Sequence, residues 1–247
     1  MKIHVLSGDS LVKPFSDSGV EGEAFVCREC FVDGDLNADS LTDFWALREK
    51  FLSANYGPPE PDYQSKVVDE FVRLWNSGDG NEVVLWFEYE LFCQVNLWFT
   101  VWLLRNTEAR FSIAYPMLKE GDSRWKGFSS LTSEELQESF KSRVKMSHDD
   151  EFLAIGLWES FQKRDFKNLA DLSDLETPAF PTLKPVVEAA CEIEVRPMSS
   201  LDKIIEGGKT KFGDAFQEFC ETEAVYGFGD LQVKRIFDEI VKEKGQG

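Results

Sequence analysis

E-V-V-L-W-F-E-Y-E-L-F-C-Q-V-N-L-W-F-T-V-W-L-L-R, residues Glu82 to Arg105, is the stretch on which the fold turns. Its unbroken apolar run, Val83 to Phe87, predicts a strand buried on both faces. Acids follow at Glu88 and Glu90, and Leu91 to Leu104 then predicts an almost wholly apolar helix. Glu88, Glu90, Gln94 and Asn96 interrupt the run, and its clean helical portion falls short of the roughly 20 apolar residues a membrane span needs. The segment therefore reads as a buried strand feeding a buried core helix, with carboxylates at the joint. In an open α/β sheet that joint is where a ligand site lies.

Working outward, the pattern repeats. Ile3 to Leu6 predicts a first strand, and Ser7-Gly8-Asp9-Ser10 a turn into a short helix that Asp9 or Ser10 would cap. Glu23 to Cys30 predicts a second strand, carrying Arg28-Glu29 near its end. Asp39-Ser40 start a helix through Ser53 with apolar residues at helical spacing. Gly57-Pro58-Pro59-Glu60-Pro61 stops it as a rigid, exposed connection, and Tyr63 to Trp75 predicts the next helix. Downstream, Arg110 to Tyr115 reads as a fourth strand. Strands alternating with helices imply an α/β fold with a doubly wound, mostly parallel, Rossmann-like sheet over residues 1–125. Beyond Gly127 the pattern turns to helices without strands. Residues 126–247 are expected to form a smaller all-helical domain, for which a winged helix is one candidate form.

The composition narrows the function classes. In 247 residues, 45 Asp and Glu outnumber 27 Lys and Arg, for a net charge of −18. That surplus repels phosphate backbones, so direct nucleic-acid binding and anionic-membrane binding are disfavoured, and a cation or a basic partner is favoured. An aromatic content of 13%, with 21 Phe and seven Trp, implies large apolar faces, some of which a protein partner or a second copy could cover. Five cysteines exclude a complete intramolecular disulfide framework. Met1-Lys2 leads straight into the first strand, so reduced thiols and a cytoplasmic setting are expected. Cys27 and Cys30 form a C-x-x-C at the end of a strand, where one side chain should point in and the other out.

Because the carboxyl ends of parallel strands share one sheet edge, the reading gathers Asp9, Ser10, Arg28, Glu29, Glu88, Glu90 and Gln94 there, with Arg48 as a second anion partner. Carboxylates held close repel unless they share a proton or a cation, so Asp9, Glu88 and Glu90 are the candidate ligands of Mg²⁺ or Mn²⁺, which would suit nucleotide binding or phosphoryl chemistry. The competing reading makes these acids helix caps and solvated turns. A non-enzymatic regulatory or protein-interaction module fits the acidic, aromatic-rich chain about as well.

Two resemblances add expectations. Gly8-Asp9-Ser10-Leu11 after a first strand resembles the G-D-S-L block of the SGNH hydrolases, which implies Ser10 as a nucleophile. That family closes its triad with a C-terminal D-x-x-H, and this chain has only His4 and His148. More extensively, S-G-D-S after the first strand, R-E on the second, F-W-x-x-R-x-x-F on the first long helix and V-V-L-W-F-E-Y-E-L-F-C-Q-x-N-L resemble the bacterial family called domain of unknown function eighteen-thirty-five. The resemblance covers residues 3–118, with a related helical region ending at G-F-G-D-L-Q-V, Gly227 to Val233. It implies the α/β fold and, for some members, a winged-helix-like segment, but no activity. The family commonly carries Asp where Glu90 stands and often His where Tyr89 stands, so the charge is kept and an imidazole is lost.

Overall fold

In a computed structural model, which describes residues 2–57 and 62–245, the chain forms an α/β fold around one five-stranded sheet. Strands β1 (Lys2–Leu6), β2 (Glu23–Val26), β3 (Glu82–Trp86) and β4 (Arg110–Ala114) run parallel, and β5 (Val144–Lys145) pairs antiparallel with β4. The order across the sheet is β2-β1-β3-β4-β5. From β1 the chain pairs first with β2 on one side and returns to place β3 on the other. The carboxyl ends of β1 and β3, Leu6 and Trp86, therefore lie side by side.

Alternation along the strands feeds two cores. Leu6, Val84, Trp86 and Ala114 pack with Leu11, Phe15, Phe128 and Leu136, so this face is covered by helices α1 (Val12–Asp17) and α5 (Ser133–Lys141). Ile3, Val5, Val83, Leu85, Phe111 and Ile113 join the larger core on the other face. There lie α2 (Leu41–Tyr56), α3 (Asp69–Gly78), α4 (Leu91–Leu104) and α6 (His148–Gln162). Helices α7 (Phe166–Leu172), α8 (Leu183–Cys191), α9 (Arg196–Glu206), α10 (Phe212–Thr222) and α11 (Asp230–Gly245) complete the chain.

Helix α4 is apolar all round because it has neighbours all round: α3, α6, α8 and the short 3-10 turn Ala224–Tyr226 pack against it. The same apolar core takes in Val95 and Phe99 of α4 together with Leu157, Val187, Phe219 and Ile236 from the later helices. No helix among the described residues is long and apolar enough to cross a membrane.

Several expectations change. The later segment is not purely helical, because β5 extends the sheet at its β4 edge. Among the described residues this is its one strand, and it offers no hairpin of a winged helix's kind. Strand β2 ends at Val26, since Cys27 to Cys30 turn inward. Cys27 and Cys30 are both buried, rather than one in and one out. Burial pushes both thiols up to about 12, so neither is a ready thiolate. Neither Asp9 nor Ser10 caps a helix: the first turn after β1 has Gly8 at its N-cap and no side-chain cap. Helix α2 is capped by Ser40, whose hydroxyl accepts the Asp43 N–H, as its sequence signature predicts. The helix expected from Tyr63 opens instead as a π-turn, Gln64–Val68, before α3. The predicted Pro58 to Pro61 connection lies outside the described residues.

Candidate functional site

The candidate ligands separate into three groups, each decided by its nearest cation. Asp9, exposed on the turn after β1, accepts the single Arg28 Nε–H across its two carboxylate oxygens, at 2.8 and 3.0 Å. Arg28 also donates to the Lys66 carbonyl, so it is committed to holding β2 and the π-turn beside the β1 loop. Glu29 is buried, and so is its partner Arg48. Arg48 donates Nη2 to Glu29 Oε2 at 2.9 Å and Nε to Oε1 at 3.2 Å. The Tyr63 hydroxyl and the Cys30 N–H complete the carboxylate's partners, at 2.6 and 2.7 Å. The remaining guanidinium hydrogens go to the carbonyls of Cys30 and Asp33. A buried ion pair so fully satisfied is structural in character.

Among the described residues, no cation pairs with the third group. Strand β3 stops at Trp86, Phe87 remains buried, and Glu88 and Glu90 fall on the loop that enters α4. Glu90 is the N-cap of α4, its carboxylate accepting the Cys93 N–H at 2.9 Å. Cap and N3 residues share one side of a helix start, so Cys93 is brought back beside the acid that caps it. Carboxylate oxygens of Glu88 and Glu90 and the Cys93 sulfur all lie within 4.8 Å of one another, an arrangement able to hold a metal ion. Asp9 does not belong to that group.

Two distant glycines wall the triad. A Cβ on Gly127 would collide with the Glu88 carboxylate, and one on Gly227 with that of Glu90. Gly227 also has φ +65°, a conformation only glycine takes at little cost. The Phe128 N–H donates to Glu88 Oε1 at 2.7 Å, and Gln94 Nε2 donates to the Glu88 carbonyl at 2.7 Å. Gln94 is therefore a positioning group for the loop. Tyr89 stacks on Tyr115, with ring centroids 4.5 Å apart, and the Thr182 hydroxyl bonds the Tyr89 carbonyl at 2.8 Å. The loop between β3 and α4 is thus held from the segments before α5 and α8 and from the turn before α11.

The electrostatics follow from burial without compensation. Desolvation, the Glu88 charge second, pushes Glu90 up to about 8 against the opposing hydrogen bond from Cys93. Burial also raises Glu88, opposed by the Phe128 N–H. Cys93 is driven well above the usual thiol range by burial and by the two acids. At neutral pH the resting triad therefore holds protons that a bound cation would displace.

Comparison with models of protein families, with curated proteins and with solved structures finds no match.

The Ser10 reading finds no catalytic base. His4 is buried against the smaller core, where its Nδ1 accepts the Trp86 indole N–H at 3.0 Å and its Nε2 faces the Glu21 carbonyl at 3.2 Å. Both ring nitrogens are thereby engaged. His148, exposed at the start of α6, faces Glu151 instead. Sequence reasoning missed Cys93, Gly127 and Gly227. The signal for Cys93 was its place three residues after a helix-capping acid, whereas nothing local marks the two glycines as walls of this site.

Proposed function

We propose that Glu88, Glu90 and Cys93 form a divalent-metal site at the carboxyl edge of the sheet, and that the protein binds a small ligand there. The observation that carries this reading is the triad itself: a buried and a half-buried acid, neither paired with a cation among the described residues, and a buried thiol within 4.8 Å, closed by glycines that leave room for nothing larger. Carboxylates alone suit Mg²⁺ or Mn²⁺. A sulfur donor favours a softer ion, so Zn²⁺ is the preferred guest and Co²⁺ a good reporter. The strand order supports a doubly wound sheet with its switch point between β1 and β3, and in that reading the metal would lie where such sheets receive nucleotides and other phosphate-bearing molecules. The metal would polarise a phosphoryl oxygen, while Gln94 keeps the Glu88 loop in place. Membership of the family that residues 3–118 resemble belongs to the same proposal and adds no activity to it.

The test is equilibrium dialysis of the metal-stripped protein against Zn²⁺, Mn²⁺ and Mg²⁺, followed by the absorbance of the Co²⁺ form. One equivalent of Zn²⁺ or Co²⁺ should bind, with a thiolate charge-transfer band that Cys93→Ser removes and Glu90→Gln weakens. Absence of stoichiometric metal, or a band untouched by Cys93→Ser, would sink the proposal.

A second reading, a protein-interaction module, has its own observation. Val72 and Trp75, each 45% exposed, line a groove between α2 and α3 with Trp45 and Leu41 at its floor. Pull-down by the wild type but not by Trp75→Ser would favour it.

A further inference from the structure

The opposite end of the sheet carries the reverse charge. The first residues of three strands stand in one row, Lys2 beside Glu82 and Glu82 beside Arg110. Two residues along β4, Ser112 pairs with Lys145 of β5. Directly paired residues, and residues two apart on a strand, share a face, so Lys2, Glu82, Arg110 and Lys145 lie on one side of the amino edge. Arg143 reaches the same row, donating Nε to Glu82 Oε1 at 2.9 Å. A cavity there is lined by Arg110, Arg143, Lys145 and His148, together with the apolar Phe111 and Met146.

Its charge does not cancel. Glu82 is taken by Arg143 and Ser112, and Glu151 faces His148. Arg110 and Lys145 are exposed and enter no ion pair among the described residues. In the cavity lining, Arg110, Arg143 and Lys145 set three positive charges against the two of Glu82 and Glu151, an excess of one on a chain of net charge −18. Unpaired cations on a surface that is elsewhere acidic concentrate field in the cavity they line. A guanidinium fork and an ammonium match the three oxygens of a phosphate, and Arg110 and Lys145 offer it two cations that have no counter-ion among the described residues. Phe111 and Met146 offer contact to an apolar group attached to it. The geometry points to a second ligand site at the amino edge of the sheet, which binds a small molecule carrying a terminal phosphate on an aromatic or apolar body.

This site stands apart from the acidic triad. Glu82 opens β3 and Glu88 follows its end, so a strand of about 17 Å, at roughly 3.3 Å per residue, lies between them.

The probes are phenyl phosphate, inorganic phosphate and benzoate, titrated calorimetrically at low ionic strength into the wild type, Arg110→Gln/Lys145→Gln and Glu90→Gln. Phenyl phosphate should bind saturably, at least tenfold more tightly than benzoate and more tightly than inorganic phosphate, and added salt should weaken it. The double variant removes two surface charges without touching the core, so it should fold as the wild type does and lose at least tenfold in affinity. Glu90→Gln should bind as the wild type does. No saturable binding, binding indifferent to the double variant, or binding lost in Glu90→Gln would each overturn the assignment, the last by moving the ligand to the carboxyl edge.

Discussion

Glu90→Gln provides the sharpest check on the electrostatics of the acidic triad. In the metal-free protein the Glu90 carboxyl titrates near 8, raised from 4.5 chiefly by burial and next by Glu88. Between those values the folded state holds a proton that the unfolded chain has released. Stability is therefore greatest below pH 4.5 and falls as pH rises through 8. At about 1.4 kcal/mol for each tenfold change, the full rise sets an upper bound of roughly 5 kcal/mol above pH 8, and roughly 3 kcal/mol at pH 7. Glutamine has the same shape and carries no charge at any pH. Its carbonyl oxygen can keep the Cys93 N–H bond, and its amide can donate to the Glu88 carboxylate beside it.

The assay is urea unfolding of both proteins in chelator from pH 5 to 9. The difference between them cancels every other titrating group that the substitution leaves unaltered. Near pH 5 the two should be nearly equal, and by pH 8.5 the variant should be the more stable by about 2–4 kcal/mol, less than the bound because water can relax around the site. Saturating Zn²⁺ should reverse the order, since only the wild type keeps both carboxylates as ligands. Parallel pH profiles in chelator would refute the reasoning, because they would mean that Glu90 reaches solvent freely and carries no stored charge penalty.

Other outcomes follow from neighbouring contacts. Arg48→Met should cost about 3–5 kcal/mol by stranding the buried Glu29 carboxylate, and adding Glu29→Gln should recover part of that in chemical denaturation. Gly227→Ala should lose more stability than Gly121→Ala; both glycines have positive φ, but only at Gly227 does the new methyl meet Glu90. The Zn²⁺-induced rise in melting temperature should also shrink in Gly227→Ala alone. Burial lowers His4 to about 4, so its folded form stays neutral while the unfolded chain takes up a proton below 6.5. That contribution is complete above pH 6.5 and is lost as pH falls to 4, roughly 3 kcal/mol in all. His4→Gln should flatten this acid limb, and an unchanged limb would mean that the ring already titrates in the native protein.

The parts of the fold legible in the sequence are those whose pattern is local and long. Val83 to Leu104 announces a buried strand and a buried helix because α4 has neighbours on every side, which forces apolar residues onto every face. Ser40, Thr132 and Ser147 announce helix starts because capping is decided within three residues. Strand β5 was illegible for the opposite reason: two residues have no period, and only the exposed edge of β4 makes a strand of them. The π-turn before α3 and the inward turn of Cys27 and Cys30 depend likewise on what packs around them. The walls of the acidic site were beyond sequence reasoning, since Gly227 meets Glu90 only after the later helices have closed on α4.

The acids themselves teach a narrower lesson about reading a site from strand ends. Asp9, Glu29, Glu88 and Glu90 are alike in sequence, each just beyond a strand, and the position of a strand end alone cannot rank them. Cations rank them. Asp9 lies against Arg28 and Glu29 against Arg48, so both charges are neutralised by the fold and neither needs a ligand. Among the described residues no lysine or arginine pairs with Glu88 or Glu90, although Glu90 is among the most deeply buried acids of the chain. A buried carboxylate without a cation must take up a proton or find one from outside. Protonation alone would make Glu90 a costly N-cap, one that a serine or aspartate on the surface would fill more cheaply. A second carboxylate and a thiol lie within 4.8 Å of it, behind two glycines, and under the proposed metal site the neutralising cation would be one the chain does not encode.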